Sequence, residues 1–247
     1  MARKFNLGKA VQPLSNVMRL ATLVERVENR AFGLPGMAVF HGFPGLGKSF
    51  GAAFCANNQD CIHISVQQTW TQKFLLEQLL HELDQPDRGT LASLAMRAQR
   101  SLAISGRTLI IDEADYAVKK GMINMIRDLH DNSGAAVILI GMENLPQMLR
   151  SAEQVDGRIA SWVQAEPADE KDAELLAKHY APGVTIAEDL RERIRTDNRG
   201  SARYMARDFA VVLEHCRTIG EDHIDLKSWG GVEFPRRHAP APRGGVA

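Results

Sequence analysis

Gly42-Phe43-Pro44-Gly45-Leu46-Gly47-Lys48-Ser49 fits the pattern G-x-x-x-x-G-K-[ST]. It stands between an apolar run, Met37 to His41, and a segment from Phe50 to Ala56 whose apolar residues have helical spacing. Glycines let the backbone curl so that successive N–H groups point inward. The helix that follows adds its positive N-terminal end to the same anion cradle. A polyphosphate fits there. Lys48 is expected to reach the β- and γ-phosphates, and the Ser49 hydroxyl to ligate a magnesium ion bridging them. Gly42, Pro44, Gly45, Leu46, Gly47 and Phe50 complete the expected cofactor-binding set.

About sixty residues on, Leu109-Ile110-Ile111-Asp112-Glu113-Ala114-Asp115 reads as a buried strand delivering two carboxylates at its C-terminal end. Beside the glycine loop this is a Walker B element. Asp112 is expected to hold the magnesium, and Glu113 to orient the attacking water, since loose phosphoryl transfer needs mainly positioning and charge stabilisation. Asp112 to Asp115 also spells D-E-A-D. A helicase of that type needs a second recombinase-like domain, and too few residues follow for one.

Working outward, apolar runs of strand length recur at 37–42, 61–66, 108–112, 135–141 and 161–165. Between them Phe74 to Leu83, Leu91 to Ile104 and Met122 to Leu129 have helical spacing. Strands alternating with helices, without tight hairpin signals, predict an α/β core with a parallel sheet covered on both faces. After Pro167 the pattern reads as helices only: Asp169 to Tyr180, Ala187 to Arg195 and Ala202 to Cys216. The expected organisation is a nucleotide-binding core over 1–166, a helical lid over 167–230 and a disordered basic tail over 231–247.

The composition excludes several classes. Of 247 residues 45% are hydrophobic, enough for a sizeable core. Thirty Lys and Arg balance thirty Asp and Glu, so no global field draws the chain to nucleic acid or lipid, and any such binding must be local. No apolar run approaches the ~20 residues that span a bilayer, and the N-terminal stretch lacks an apolar signal region. A cytoplasmic protein with no membrane partner is expected. Cys55, Cys61 and Cys216 have neither zinc spacing nor an even count.

The loop, the Walker B element, the VILIG run at 137–141 and the arginine-bearing segment after it together resemble the AAA+ ATPases over about residues 15 to 225. That resemblance implies ATP and Mg2+ as cofactors and a P-loop sheet of order 5-1-4-3-2 with a small C-terminal helical lid. It also implies a sensor after the fourth strand, at Asn144 or Glu143, although here the strand runs into Gly141-Met142 rather than a polar residue. Arg158, in Asp156-Gly157-Arg158-Ile159, matches the arginine finger that acts on a neighbouring subunit's ATP, with Arg150 its rival. Arg203, in Gly200-Ser201-Ala202-Arg203, looks like a second sensor contacting phosphate.

Within AAA+ proteins the compact frame looks most like the transposition regulators, the group of the Mu-like phage B protein, TniB and TnsC. The group implies a homo-oligomer or filament on double-stranded DNA that delivers this target to a transposase. The alternatives are an ATPase remodelling a protein partner, as ExeA-like relatives do, and an initiator or helicase-loader role. Three surfaces are available to DNA: the arginines at 191, 193, 195, 199, 203 and 207, the basic N-terminal thirty residues, and the Gln67 to Lys73 loop. Trp70 in that loop reads more naturally as core packing. Arg236, Arg237 and Arg243 in the tail could touch DNA or the transposase.

Overall fold

In a computed structural model of the chain the described residues run from Gln12 to Pro235. They divide into two compact units, the first ending at Glu166 and the second starting at Pro167. The first unit follows the order Ser15–Glu28 (α1), Met37–His41 (β1), Lys48–Asn58 (α2), Ile62–Ser65 (β2), Gln72–Glu82 (α3), Leu91–Ser105 (α4) and Leu109–Asp112 (β3). It continues with Ala114–Lys119 (α5), Ile123–Ser133 (α6), Val137–Gly141 (β4), Leu145–Arg150 (α7), Glu153–Asp156 (α8) and Ile159–Gln164 (β5).

The five strands form one parallel sheet in the order β2-β3-β4-β1-β5, which is the expected order read from its other edge. Side chains alternate across a strand, and both sets are buried here. Met37, Val39, Leu109, Ile111, Val137 and Leu139 enter one core with residues of α3 to α8. Ala38, Phe40, Ile110, Ile138 and Ile140 enter the other with residues of α1 and α2. Burial on both faces is why these strands read as continuous apolar runs. Trp70 packs against the first core, as its composition predicts. Thr71 and Thr90 accept the N–H groups of Phe74 and Ser93, capping α3 and α4.

The parallel order has a consequence for chemistry. Every strand of the sheet ends on the same side, and β1 and β3 are separated only by β4. The crevice beyond the carboxyl ends, where the strand order reverses, is where open α/β sheets bind ligands. Both motifs end their strands there.

The second unit contains Glu170–Tyr180 (α9), Thr185–Ile186 (β6), Glu188–Asp197 (α10), Ala202–Ile219 (α11) and His223–Ile224 (β7). The expectation of helices alone is corrected here, because β6 and β7 pair as a short parallel ribbon. Two-residue strands bury only Ile186 and Ile224, too little apolar pattern to register in sequence. The tail expectation is also adjusted: Phe234 stacks on Trp229, with ring centroids 4.8 Å apart. Residues 236–247, including Arg236, Arg237 and Arg243, lie outside the described residues, as do 1–11. Among the described residues no helix is long and apolar enough to cross a membrane.

Gly200 holds the second unit's first turn against its third helix. It sits at φ +66°, and its carbonyl accepts the Ala168 N–H at 2.9 Å. A Cβ there would lie 2.6 Å from the Pro167 Cβ and 2.8 Å from the Ala168 nitrogen. Gly200→Ala therefore combines left-handed strain with a backbone clash, and is expected to cost about 1–3 kcal/mol. A thermal melt should show a loss of several degrees; an unchanged melt would contradict the close packing at this turn.

Candidate nucleotide site

The loop after β1 has the curled backbone that its glycines imply. Gly42, Gly45 and Gly47 take φ of 155°, 84° and 85°, two of them left-handed conformations that side chains with a Cβ resist. The left-handed Gly47 is the N-cap of α2, so the first N–H groups of that helix open onto the loop. Lys48 is buried, and its Nζ donates to the Gly42 and Phe43 carbonyls, both at 2.7 Å. The cation is thereby folded over the loop rather than directed to solvent. Phe43 and Phe50 are exposed at the loop's rim.

Across the crevice Asp112 is almost fully buried. Burial pushes its carboxyl up, but the polar His63 and Ser49 side chains beside it and the Glu113 N–H outweigh that and hold it below the usual carboxylate range. A group so depressed stays ionised at neutral pH and loses its charge only as pH falls through that lowered value. The Glu113 N–H donates to Asp112 Oδ1 at 2.9 Å. Glu113 itself is the N-cap of α5 at φ 56°, a left-handed conformation uncommon outside glycine that turns the chain abruptly off the strand. A strained residue carrying a carboxylate at this point fits a group placed for chemistry.

Ser49 thus lies close enough across the two motifs to act on the Asp112 charge. A hydroxyl and a carboxylate are hard oxygen donors, and no group of three or more His, Cys, Asp or Glu capable of holding a metal occurs among the described residues. That donor set fits magnesium, which takes one or two protein oxygens and completes its shell with phosphate and water. It does not fit zinc or another ion needing an all-protein cage.

Three residues that sequence reasoning passed over help build the site. His63, on β2, places Nε2 3.6 Å from Asp112 Oδ2, and that nitrogen is buried without a hydrogen-bond partner among the described residues. His41, the last residue of β1, has a buried Nδ1 in the same condition. Burial lowers its pKa, Glu143 opposes the shift and Lys48 adds to it. Asp115 is buried and accepts the Met142 N–H at 2.8 Å. A Cβ on Gly141 would lie 2.2 Å from that same carboxylate oxygen. The fourth strand therefore ends in glycine because Asp115 occupies the space a side chain would need.

The remaining candidates are placed as follows. Asn144 is exposed at the N-cap of α7, while Glu143 lies close enough to His41 to act on its charge. Arg158 makes a two-pronged pair with Asp131, with N–O distances of 2.9 to 3.1 Å, and donates to the Gln154 carbonyl. Arg150 is exposed at the end of α7. Arg203 lies in the second unit, exposed in the first turn of α11. Of the six arginines at 191–207, Arg193, Arg195 and Arg207 pair with Asp197, Glu192 and Asp208, and Arg191 donates to the Ile186 carbonyl. The guanidinium groups of Arg199 and Arg203 make no hydrogen bond or ion pair among the described residues. In the first unit Arg19 pairs with Glu166.

The AAA domain family model matches residues 33–149, the span holding both motifs. No curated protein matches the chain in sequence. Among solved structures it is similar to Cdc6p from Pyrobaculum aerophilum (16% identity, TM-score 0.60, covering 84% of this chain and 62% of that one). It is also similar to the Orc1 protein of Aeropyrum pernix, solved in complex with DNA (18%, 0.56, 86% and 62%). A third is the RuvB Holliday junction branch migration motor of Thermotoga maritima (20%, 0.57, 86% and 66%). The chain thus spans a little under two thirds of the length of these proteins. With its loop, its strand order and an AAA domain match over residues 33–149, the chain has the α/β P-loop fold of the AAA+ ATPases.

Proposed function

We propose that the chain binds ATP with Mg2+ and hydrolyses it, and uses the nucleotide state to control assembly on double-stranded DNA. The observation that carries the reading is the placement of the buried Asp112 at the end of β3 opposite the Gly42–Ser49 cradle at the end of β1, with only β4 between the two strands. Magnesium, when bound, would neutralise charge that develops on the phosphate oxygens. The protein's own part is then definite. Backbone N–H groups of the loop and the Lys48 ammonium hold the β- and γ-phosphates. Ser49 and Asp112 would hold the metal, and Glu113 would orient the attacking water and take up its proton.

Arg158 is our choice for the arginine that reaches a neighbouring subunit, with Arg150 as its rival. Its pair with Asp131 is exposed, and exposed pairs are worth only about 0–1 kcal/mol, so exchange of Asp131 for a phosphate is energetically accessible. Arg203 is proposed as the second sensor, and Glu143, from its proximity to His41, competes with Asn144 for the first.

For DNA, support comes from the Orc1 neighbour solved with DNA and from Arg199, an exposed member of the arginine-rich span whose guanidinium has no partner among the described residues. The finer reading, delivery of target DNA to a transposase by a homo-oligomer or filament, rests on the sequence resemblance to the transposition regulators. A cytoplasmic setting accompanies it.

Three tests follow. Lys48→Ala should weaken ATP binding by roughly a hundredfold or more, whereas Glu113→Gln should bind ATP normally and lose turnover by about 10²–10⁴-fold. Normal hydrolysis by Glu113→Gln would remove the water-orienting assignment. Arg158→Ala should be inactive alone and regain turnover when mixed with Glu113→Gln subunits, since each supplies what the other lacks; recovery with Arg150→Ala instead would transfer the role. In gel shifts with ATP, ADP and a slow analogue, duplex binding should depend on the nucleotide. Arg199→Ala should lower the slope of log affinity against log salt by about one. Arg193→Ala, already paired with Asp197, should change it little. Equal binding in all nucleotide states would sink the DNA switch.

A further inference from the structure

Asn16 lies in the first turn of α1, on its buried face, and is 4% exposed. A buried amide is costly unless its donors and acceptor are satisfied. Its Nδ2 donates to the Leu46 carbonyl at 2.9 Å and to the Glu166 carbonyl at 2.7 Å, and its Oδ1 accepts the Glu166 N–H at 3.0 Å. One side chain thus joins three separate stretches of the first unit: the start of α1, the middle of the glycine loop, and the segment just beyond β5.

The bond to Leu46 has a geometric consequence. A trans peptide is planar, so the carbonyl of one residue and the N–H of the next point in opposite directions. Leu46 lies between Gly45 and Gly47, the two left-handed residues that make the loop curl. Holding the Leu46 carbonyl outward on Asn16 therefore aims the Gly47 N–H inward, where an anion cradle needs it. The Leu46 carbonyl faces a protein interior at this point, and without a donor it would be a buried, unpaired acceptor. The glycines that permit the curl also permit its loss, so the loop needs an outside contact to hold one shape.

We propose that Asn16 is a positioning residue for the phosphate cradle: it fixes the Leu46–Gly47 peptide in the orientation that presents the Gly47 N–H to a polyphosphate. This rests on the reading that Gly42–Ser49 grips ATP. Asn16 touches no substrate; it acts through the loop backbone. The second pair of bonds, to both polar groups of Glu166, holds the amide plane so that the Leu46 contact is directional.

The test compares Asn16→Ala and Asn16→Asp with the wild-type chain, measuring the Kd for fluorescently labelled ADP with Mg2+ at about pH 8 and about pH 6, together with melting temperatures. An ionised aspartate keeps the acceptor for the Glu166 N–H but loses both donors. Burial beside two carbonyls raises its pKa, and when protonated it regains one donor. Both variants are expected to bind ADP about tenfold or more weakly at the higher pH. Relative to wild type at each pH, Asn16→Asp should recover most of that loss at the lower pH, and Asn16→Ala should recover none. A role confined to stability would shift melting without this difference.

Wild-type affinity in Asn16→Asp at the higher pH would overturn the inference, as would parallel pH behaviour in the two variants. Failure of both variants to fold would also overturn it, by showing that the bonds support the unit as a whole. Absence of ADP binding by the wild-type chain would instead strike the nucleotide reading beneath it.

Discussion

A carboxylate that stays ionised while almost fully buried is the constraint around which this site is organised. Asp112 has left water, which by itself favours its neutral form. It remains charged because the polar Ser49 and His63 side chains lie beside it and the Glu113 N–H donates to it. Ser49 opens the helix that follows the glycine loop, and His63 comes from the neighbouring strand. The charge of one acid therefore depends on the register of the β2-β3 pairing and on the seating of α2 together. The two motifs occupy one crevice because all five strands run in the same direction.

Much of this was legible in sequence. Strands with both faces buried show as apolar runs, and helices packed on them show as 3.6-residue spacing, so the core and the two motifs could be placed before any coordinates. The first helix could have been read but lacks the usual start signal: Leu14 stands at its N-cap and makes no side-chain cap. Its apolar stripe is also interrupted by Asn16, a polar residue whose partners lie 30 and 150 positions away. Such partners are invisible to local pattern. Gly141 looked like a departure from the family pattern at the end of the fourth strand. It becomes intelligible only when Asp115 is seen occupying the space of its missing Cβ.

Charge was the least legible property. Counting acids and bases within a segment makes the arginine-rich stretch look strongly cationic, yet helical geometry places Asp197 four residues after Arg193, Glu192 three before Arg195, and Asp208 against Arg207. The first two pairs lie at the spacings of helix neighbours, and all three compensate charge locally. The net surface is carried by far fewer groups than the count implies. The same reasoning separates Arg158, already satisfied by Asp131, from an arginine with nothing to exchange.

The central claim is that a glycine-shaped cradle and a hydroxyl–carboxylate pair act together on a magnesium-bound nucleoside triphosphate. Calorimetric titration of the whole chain with a non-hydrolysable ATP analogue, in excess Mg2+ and again in excess chelator, addresses it most directly. The account predicts saturable binding of one nucleotide per chain that is clearly tighter with the metal. Binding that is indifferent to magnesium would separate Asp112 from the nucleotide, and no binding under either condition would contradict the account as a whole.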